Sequence, residues 1–304
     1  MRKYLGPLYS IAAASIWGGM YVVSKMVLAV VPPLQLVWLR YLVALVALAG
    51  VALLTRQSWR IKLKDIPLIL AIGVIGYFLS IWAQFAGTRL SSAQMGAVIT
   101  AATPAFMVLF ARLILKERIT ARKALSVGLA TLGVLFIVGV GQLGVGQGHS
   151  VQLGGAVLIS AALTWALMSV LVKRVPAGYS PLIVTTYAVL TALVVMTPLV
   201  GAELQPARLR QLLGQPLVWG GTLYLGVVST AGAFYCWNKG LQRVEATRAG
   251  LYFFFQPLVG TWLGWLCLGE RVGVTYGIGT ALILGGVLLV IQEPEQPVIR
   301  RTQP

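Results

Sequence analysis

The sequence predicts an all-α integral membrane protein of ten transmembrane helices, arranged as two inverted five-helix repeats, and three observations carry that reading. Of 304 residues, 58% are hydrophobic and only 10% charged, with a mean hydropathy of +0.86. A soluble domain carries about a quarter charged residues, so this chain lacks the polar surface of a water-soluble globule. Its apolar residues fall in runs long enough to cross a hydrocarbon core of roughly 30 Å, which takes about 20 residues of helix. The second half of the chain also repeats the first at near-constant spacing.

The runs follow in order. The first, 5–30, comes after Arg2 and Lys3. It outlasts the apolar stretch of roughly 7–15 residues in a secretory signal and reads as helix 1. Helix 2 is expected over 34–54, and helix 3 over 67–86 beyond a basic loop from Arg56 to Asp65. Helix 4 spans 93–115 with Pro104 at its middle, and helix 5 spans 124–141 after the charged turn Lys116–Lys123. A Gly/Gln-rich stretch holding His149, the single histidine, precedes helix 6 at 152–172 and helix 7 at 181–201. Helix 8 covers 216–237, helix 9 covers 246–268 with Pro257 at its middle, and helix 10 covers 274–291. These runs far exceed the 9–11 alternating residues of a membrane β-strand.

Charge sets the orientation. Lys and Arg number 24 against 7 Asp and Glu, for a net charge of +17. On a soluble module such a balance would suggest nucleic acid, but no such module is present and no nucleic-acid partner is expected. With the N-terminus in the cytoplasm, 18 of the basic residues fall in cytoplasmic loops and 5 outside, with Arg40 inside helix 2. Basic residues collect on the cytoplasmic side, which puts both termini there. Most of these charges need only water and anionic lipid headgroups as partners.

Sliding the chain on itself by 148 places Trp17 on Trp165, Lys25 on Lys173 and Pro33 on Pro181. A slide of 153 places Gly87 on Gly240, Ala93 on Ala246, Pro104 on Pro257 and Glu117-Arg118 on Glu270-Arg271. The organisation expected is a first repeat over 1–141, a second over 152–291 and a cytoplasmic tail over 292–304. Five spans per repeat make the halves enter the membrane from opposite sides, an architecture on which secondary transporters build alternating access.

These residues carry a family resemblance. Trp17-Gly18-Gly19 with Lys25, Pro33 and Arg40, then Ala93, Pro104 and Glu117-Arg118, resemble the opening and fourth-helix patterns of EamA-type repeats of the drug/metabolite transporter superfamily. Ala246, Pro257 and Leu268-Gly269-Glu270-Arg271 repeat the second pattern, and Gly279, Ala281, Ile283 and Gly286 resemble its close. Met20 stands where the family often has Asn. The resemblance covers nearly the whole chain. It implies an inner-membrane exporter of amino acids or related metabolites, not driven by ATP, with helices 3, 4, 8 and 9 lining a central cavity. Multidrug or other small-metabolite efflux is the alternative.

Candidate pathway residues follow from the chemistry of helix interiors. A mid-helix proline frees the carbonyl four residues earlier, here on Thr100 and Phe253, and a freed carbonyl at membrane depth must be buried in protein or face a wet cavity. Each proline is also preceded by a polar side chain, Thr103 and Gln256. Kinked helices at matching places of two repeats point to a transport site; a packing kink is the alternative. Tyr77 and Gln84 on helix 3, Tyr235 and Asn238 on helix 8, and Tyr252 on helix 9 add polar and aromatic groups. Such a wall suits an apolar or zwitterionic small solute.

Lys25 and Arg40 are the cations near membrane depth. Snorkelling to the interface or a structural pairing is expected of them, and contact with a substrate carboxylate is the alternative. Glu117 and Glu270 are expected to make ordinary helix-end ion pairs, with the bracing of gates through Arg118 and Arg271 as the alternative, and Trp17 is a further gate or structural candidate. All seven acids lie at span ends or in loops, so no intramembrane carboxylate argues for proton coupling, which stays open. Gly277, Ala281 and Gly285 form a small-residue ladder fit for packing within the chain or for a homodimer; monomer and homodimer are both consistent.

No cofactor or metal is expected. Cys236 and Cys267 stand in apolar stretches without metal-ligand or disulfide spacing and read as small buried residues. No GxxxxGK[ST] phosphate loop is present. An enzyme acting on lipid would need an acid–base or metal constellation that one histidine and no paired intramembrane carboxylates do not supply.

Overall fold

A computed structural model of the chain describes residues 4–91, 96, 99–138, 149–203, 209–210, 212, 214–268 and 274–291. Among them helices are the only regular elements. We number these α1 (Leu5–Leu28), α2 (Pro33–Leu54), α3 (Leu63–Leu90), α4 (Thr103–Leu115), α5 (Ala121–Val138) and α6 (His149–Val172). The rest are α7 (Pro181–Glu203), α8 (Pro216–Leu241), α9 (Ala246–Tyr252), α10 (Phe255–Leu268) and α11 (Val274–Ile291). The apolar stretches of α1, α2, α3, α6, α7 and α8 are each long enough to cross a membrane, and α4 and the Gly277–Leu289 part of α11 are shorter apolar helices. His149, expected in a connection, opens α6.

Local chemistry explains several boundaries. Pro33, Pro104 and Pro216 stand in the first turn of their helices, where an N–H would have no intrahelical acceptor, and Pro67 stands at the start of the α-helical part of α3, after the tight turn Leu63–Asp65. The last turn of α4 ends at Lys116, whose left-handed backbone (φ 59) turns the chain out of the helix. Wide π-type turns run through Gly73–Ser80 of α3 and Tyr224–Gly232 of α8. The two overlap at an offset of 153.

The two portions of the chain interleave. α1 packs on α8 and α10, α2 on α7 and α8, α3 on α6 and α7, α4 on α6 and α9, and α5 on α11. Glycines set the closest approaches, and the contacts recur with the portions exchanged. A Cβ on Gly133 would strike the carbonyl of Gly279 and the Ile283 side chain; one on Gly286 would strike the carbonyl of Ser126 and approach Ala130. Gly87 lies against Gly154 and Leu158, and Gly240 against Gly6 and Ser10. Gly73 meets the Ala188 carbonyl, and Gly226 meets the Arg40 carbonyl. Each pair of partners differs by the same 148 or 153 residues found in the sequence. The ladder on α11 behaves differently: a Cβ at Gly277 or Gly285 would meet nothing within 4 Å, so those glycines make no close helix contact within the described chain.

Large apolar side chains such as Val46, Leu53, Leu113, Leu125, Val194 and Leu266 are exposed on the outside. An apolar exterior around a buried interior is what a hydrocarbon solvent requires.

Candidate functional site

α4 and the α9–α10 pair approach the centre as broken helices. Residues 93–115 and 246–268 were expected as continuous kinked helices; instead the chain turns at Ala101–Ala102 and at Phe253–Phe254. Tight bonds, Ala102 N–H to the Ile99 carbonyl and Phe253 N–H to the Gly250 carbonyl, both 3.0 Å, bridge the breaks. Pro104 and Pro257 therefore sit in the first turn of a new helix, where a missing N–H costs no bond. The polar residues beside them, Thr103 and Gln256, are buried at the start of those helices.

Thr103 and Gln256 line a central cavity together with Thr100, Gln84, Ser80, Met20 and Trp17 from one portion of the chain and Trp165, Phe234 and Phe253 from the other. About 20 Å³ is open to the centres of water molecules, room for one or two waters and not for an amino acid. Aromatic side chains pack against one another along its wall. Trp17 meets Trp165 edge-on at 5.2 Å and Phe234 at 5.8 Å between centroids, and lies 5.5 Å from Trp237 and 5.7 Å from Phe253. Each such contact contributes about 0.5–1.5 kcal/mol beyond area burial. The Trp17 indole N–H donates to the Ser229 carbonyl at 3.0 Å, within the wide turn of α8. Its counterpart Trp165 Nε1 is buried with no acceptor among the described residues.

A polar network flanks the cavity. Gln84 Nε2 donates to the Tyr21 hydroxyl at 2.8 Å, which shares a hydrogen bond of 2.9 Å with Thr100 Oγ1. Trp237 Nε1 donates to Ser169 Oγ at 3.1 Å, the same helix-to-helix link at the repeat offsets. Behind the aromatic wall, Asn238 Nδ2 donates to the Tyr77 hydroxyl at 2.8 Å and to Thr185 Oγ1 at 2.7 Å. The Tyr41 hydroxyl donates to the Tyr77 carbonyl at 2.6 Å.

Arg40 does not snorkel. Its relative exposure is 0%, because Gly226 lets α8 close over its backbone and the side chain points inward. Nε donates to Thr230 Oγ1 at 2.8 Å, Nη2 to Ser229 Oγ at 3.4 Å and Nη1 to Met20 Sδ at 3.5 Å. The guanidinium carbon lies 5.4 Å from the Phe85 ring centroid.

Four of the basic residues expected on the cytoplasmic side, Lys123, Lys173, Arg174 and Arg248, make contacts around the connections that follow α4, α6 and α8. The Lys123 ammonium pairs with Glu245 at 2.8 Å, and Arg248 Nε lies 3.6 Å from the same carboxylate. Lys173 Nζ donates to the carbonyl of Leu241, the last residue of α8, at 2.9 Å and to that of Val244, in the connection to α9, at 2.7 Å. Burial pulls the Lys173 pKa down, while Glu117 and Glu245 act against that shift. Arg174 donates to the Ile114 carbonyl at 2.9 Å. Glu117 makes no pair with Arg118. Its carboxylate instead accepts from the N–H groups of Ala246 and Thr247 and from Thr247 Oγ1, a better fit because the first N–H groups of a helix lack acceptors.

Of the residues singled out from sequence, the structure brings Trp17, Gln84, Thr100, Thr103 and Gln256 to the cavity wall. Tyr77 and Asn238 form the pair behind it. Pro104, Pro257 and Tyr252 are buried near the breaks. Tyr235 is half-buried, with Lys239 5.8 Å above its ring, and does not line the cavity. Cys236 is half-buried. The side chains of Lys25 and Cys267, and the whole of Glu270, lie outside the described residues. Sequence reasoning missed Tyr21, Trp165, Phe234 and Phe253. Two of these carried a signal: Trp165 aligns with Trp17 at the 148 offset, and Tyr21 lies one turn beyond Trp17 on the same helix face.

A family model described as the EamA-like transporter family matches residues 4–139 and again residues 152–292. The uncharacterized transporter YetK of Bacillus subtilis (strain 168) is 25% identical over 98% of this chain and 90% of its own length. A protein of Escherichia coli (strain K12) named a probable amino-acid metabolite efflux pump is 25% identical over 90% of each chain. A solved crystal structure superposes with a TM-score of 0.77 at 19% identity, covering 94% of this chain and 96% of that one, and so shares the fold.

Proposed function

The chain belongs to the EamA-like transporter family, and on that premise we propose that it is a secondary transporter that exports amino acids or related small metabolites across the inner membrane by alternating access. The observation that carries the reading is the narrow central cavity, built from polar and aromatic side chains of both portions of the chain. A narrow cavity walled by both portions suits a cycle in which each portion in turn swings away to widen it. The reciprocal glycine contacts suit two five-helix repeats of opposite orientation. The grouping of Lys123, Lys173, Arg174 and Arg248 around the connections that follow α4, α6 and α8 suits a cytoplasmic face with both termini inside. The similarity to a probable amino-acid metabolite efflux pump supports the substrate class.

The test is flux from proteoliposomes loaded with a panel of labelled amino acids, with and without an imposed proton gradient. Loss of one or more amino acids above the rate of protein-free vesicles supports the reading, and dependence on the gradient supports proton coupling. Retention of the whole panel by folded, reconstituted protein overturns it.

A further inference from the structure

Arg40 is a permanently charged group in an apolar interior, and among the described residues no carboxylate lies within ion-pair distance of it. Lys123–Glu245 and Arg248–Glu245, ion pairs among the described residues, do not involve it. A buried ion without a counter-charge is costly, and here its surroundings are neutral: the rings of Tyr41 and Phe85, at 5.9 and 5.4 Å, and the hydroxyls of Thr230 and Ser229. A guanidinium has five N–H donors. Three are engaged, one of them by the Met20 sulfur at 3.5 Å, a weak acceptor.

The scaffold does not require this arginine. At the 148 offset its place is taken by Ala188, and the Gly73 contact with the Ala188 carbonyl reproduces the Gly226 contact with the Arg40 carbonyl. The same close helix approach forms with a methyl side chain. Met20 links the guanidinium to the cavity, since the side chain that accepts from Nη1 also forms part of the cavity wall. The same wall contains Trp165, whose buried indole N–H has no acceptor among the described residues. Two sets of donors short of good acceptors thus flank one cavity.

We propose that Arg40 is the anchor for a substrate carboxylate. The carboxylate displaces the Met20 sulfur and takes the Nη1 and Nη2 donors as a fork, the geometry that suits guanidinium and carboxylate. The transported solutes are then amino acids or other small organic acids with a free carboxylate, and their amides are poor substrates. This assignment rests on the transporter reading above and deepens it.

The test compares efflux of the amino acids with efflux of their amides, corrected for leakage from protein-free vesicles, for wild type, Arg40→Gln, Arg40→Lys and Met20→Leu. Wild type is expected to prefer the carboxylates by about tenfold or more, the worth of one charge-assisted hydrogen bond. Arg40→Gln is expected to move acid and amide at equal, low rates. Arg40→Lys, which keeps the charge and loses the fork, should show an intermediate preference. Met20→Leu keeps the volume, removes the competing sulfur and should lower the half-saturating concentration of the acid. Should Arg40→Gln fail to fold, Arg40→Lys and Met20→Leu decide. Wild type moving amides as fast as acids, or an undiminished preference in the folded Arg40 variants, overturns the assignment and leaves the transporter reading standing. Movement of neither acids nor amides overturns both.

Discussion

The Glu117 carboxylate reaches across 130 residues of sequence to Thr247, accepting from its hydroxyl at 2.6 Å and its backbone N–H at 3.2 Å, and from Ala246 N–H at 3.0 Å. It serves as the cap that α9 does not find in its own chain segment, since Glu245 makes no capping bond. Through this contact the connection after α4 holds the start of α9, the helix that leads to the Phe253–Phe254 break and Gln256.

Glu117→Ala is therefore expected to lower unfolding stability by about 1–2 kcal/mol, the range for loss of a side-chain helix cap. Glu117→Gln, which retains an acceptor oxygen, should lose about half of that. Thermal melting in detergent micelles checks both.

The Lys123–Glu245 pair is buried, with side-chain exposures of 1% and 10%. Lys123→Met leaves Glu245 with only the longer contact to Arg248, and should cost about 3 kcal/mol, as removal of one partner from a buried pair does. The double variant Lys123→Met with Glu245→Leu should recover most of that loss. A double-mutant cycle measured by denaturant unfolding gives the coupling directly; additive losses would mean the two charges do not act as a pair.

Gly133 and Gly128 lie on the same helix, α5, and should respond oppositely to alanine. At Gly133 the new methyl meets the Gly279 carbonyl of α11 at 2.6 Å, so the helices must separate, at a cost of about 2 kcal/mol. At Gly128 nothing lies within 4 Å, and the better helix propensity of alanine should leave stability equal or higher by a few tenths of a kcal/mol. Melting temperatures of the two variants provide the comparison.

Tyr179 lies in the connection between α6 and α7. Its hydroxyl donates to Asp65 Oδ2 at 2.6 Å and accepts from Lys62 N–H at 3.0 Å. The bond to Asp65 holds its phenol above the usual value of 10.0. The folded chain keeps a proton that the unfolded chain releases, so this tie is fully present below pH 10 and is lost as pH rises through the raised value. A phenolate absorbance titration of wild type minus Tyr179→Phe should show that component above 10, and Asp65→Asn should bring it down.

The membrane class and the positions of the apolar runs were legible because spanning a bilayer is a demand on composition and length, which one sequence displays. The packing of Gly133 on α11 and of Gly286 on α5 was implicit in the repeat, since residues that align at one offset meet partners that align at the same offset. The helix breaks were not legible. A proline suits both a kink and the first turn of a new helix, and the tight turns at Ala101–Ala102 and Phe253–Phe254 depend on what packs around them. Glu117 has Arg118 beside it in sequence, which hid a partner 130 residues away. The long side chain of Arg40 can reach an interface from many depths; only the closure of α8 over its backbone shows that it does not.

The central claim is that solute crosses through the cavity between the two portions of the chain, past Thr103 and Gln256. Efflux of labelled amino acids from proteoliposomes containing wild type, Thr103→Ala or Gln256→Ala tests it most directly, with melting temperature as the control for folding. The prediction is flux in wild type and a loss of about tenfold in each variant, the worth of one buried hydrogen bond to substrate, with melting unchanged. Equal flux in all three folded proteins would contradict it.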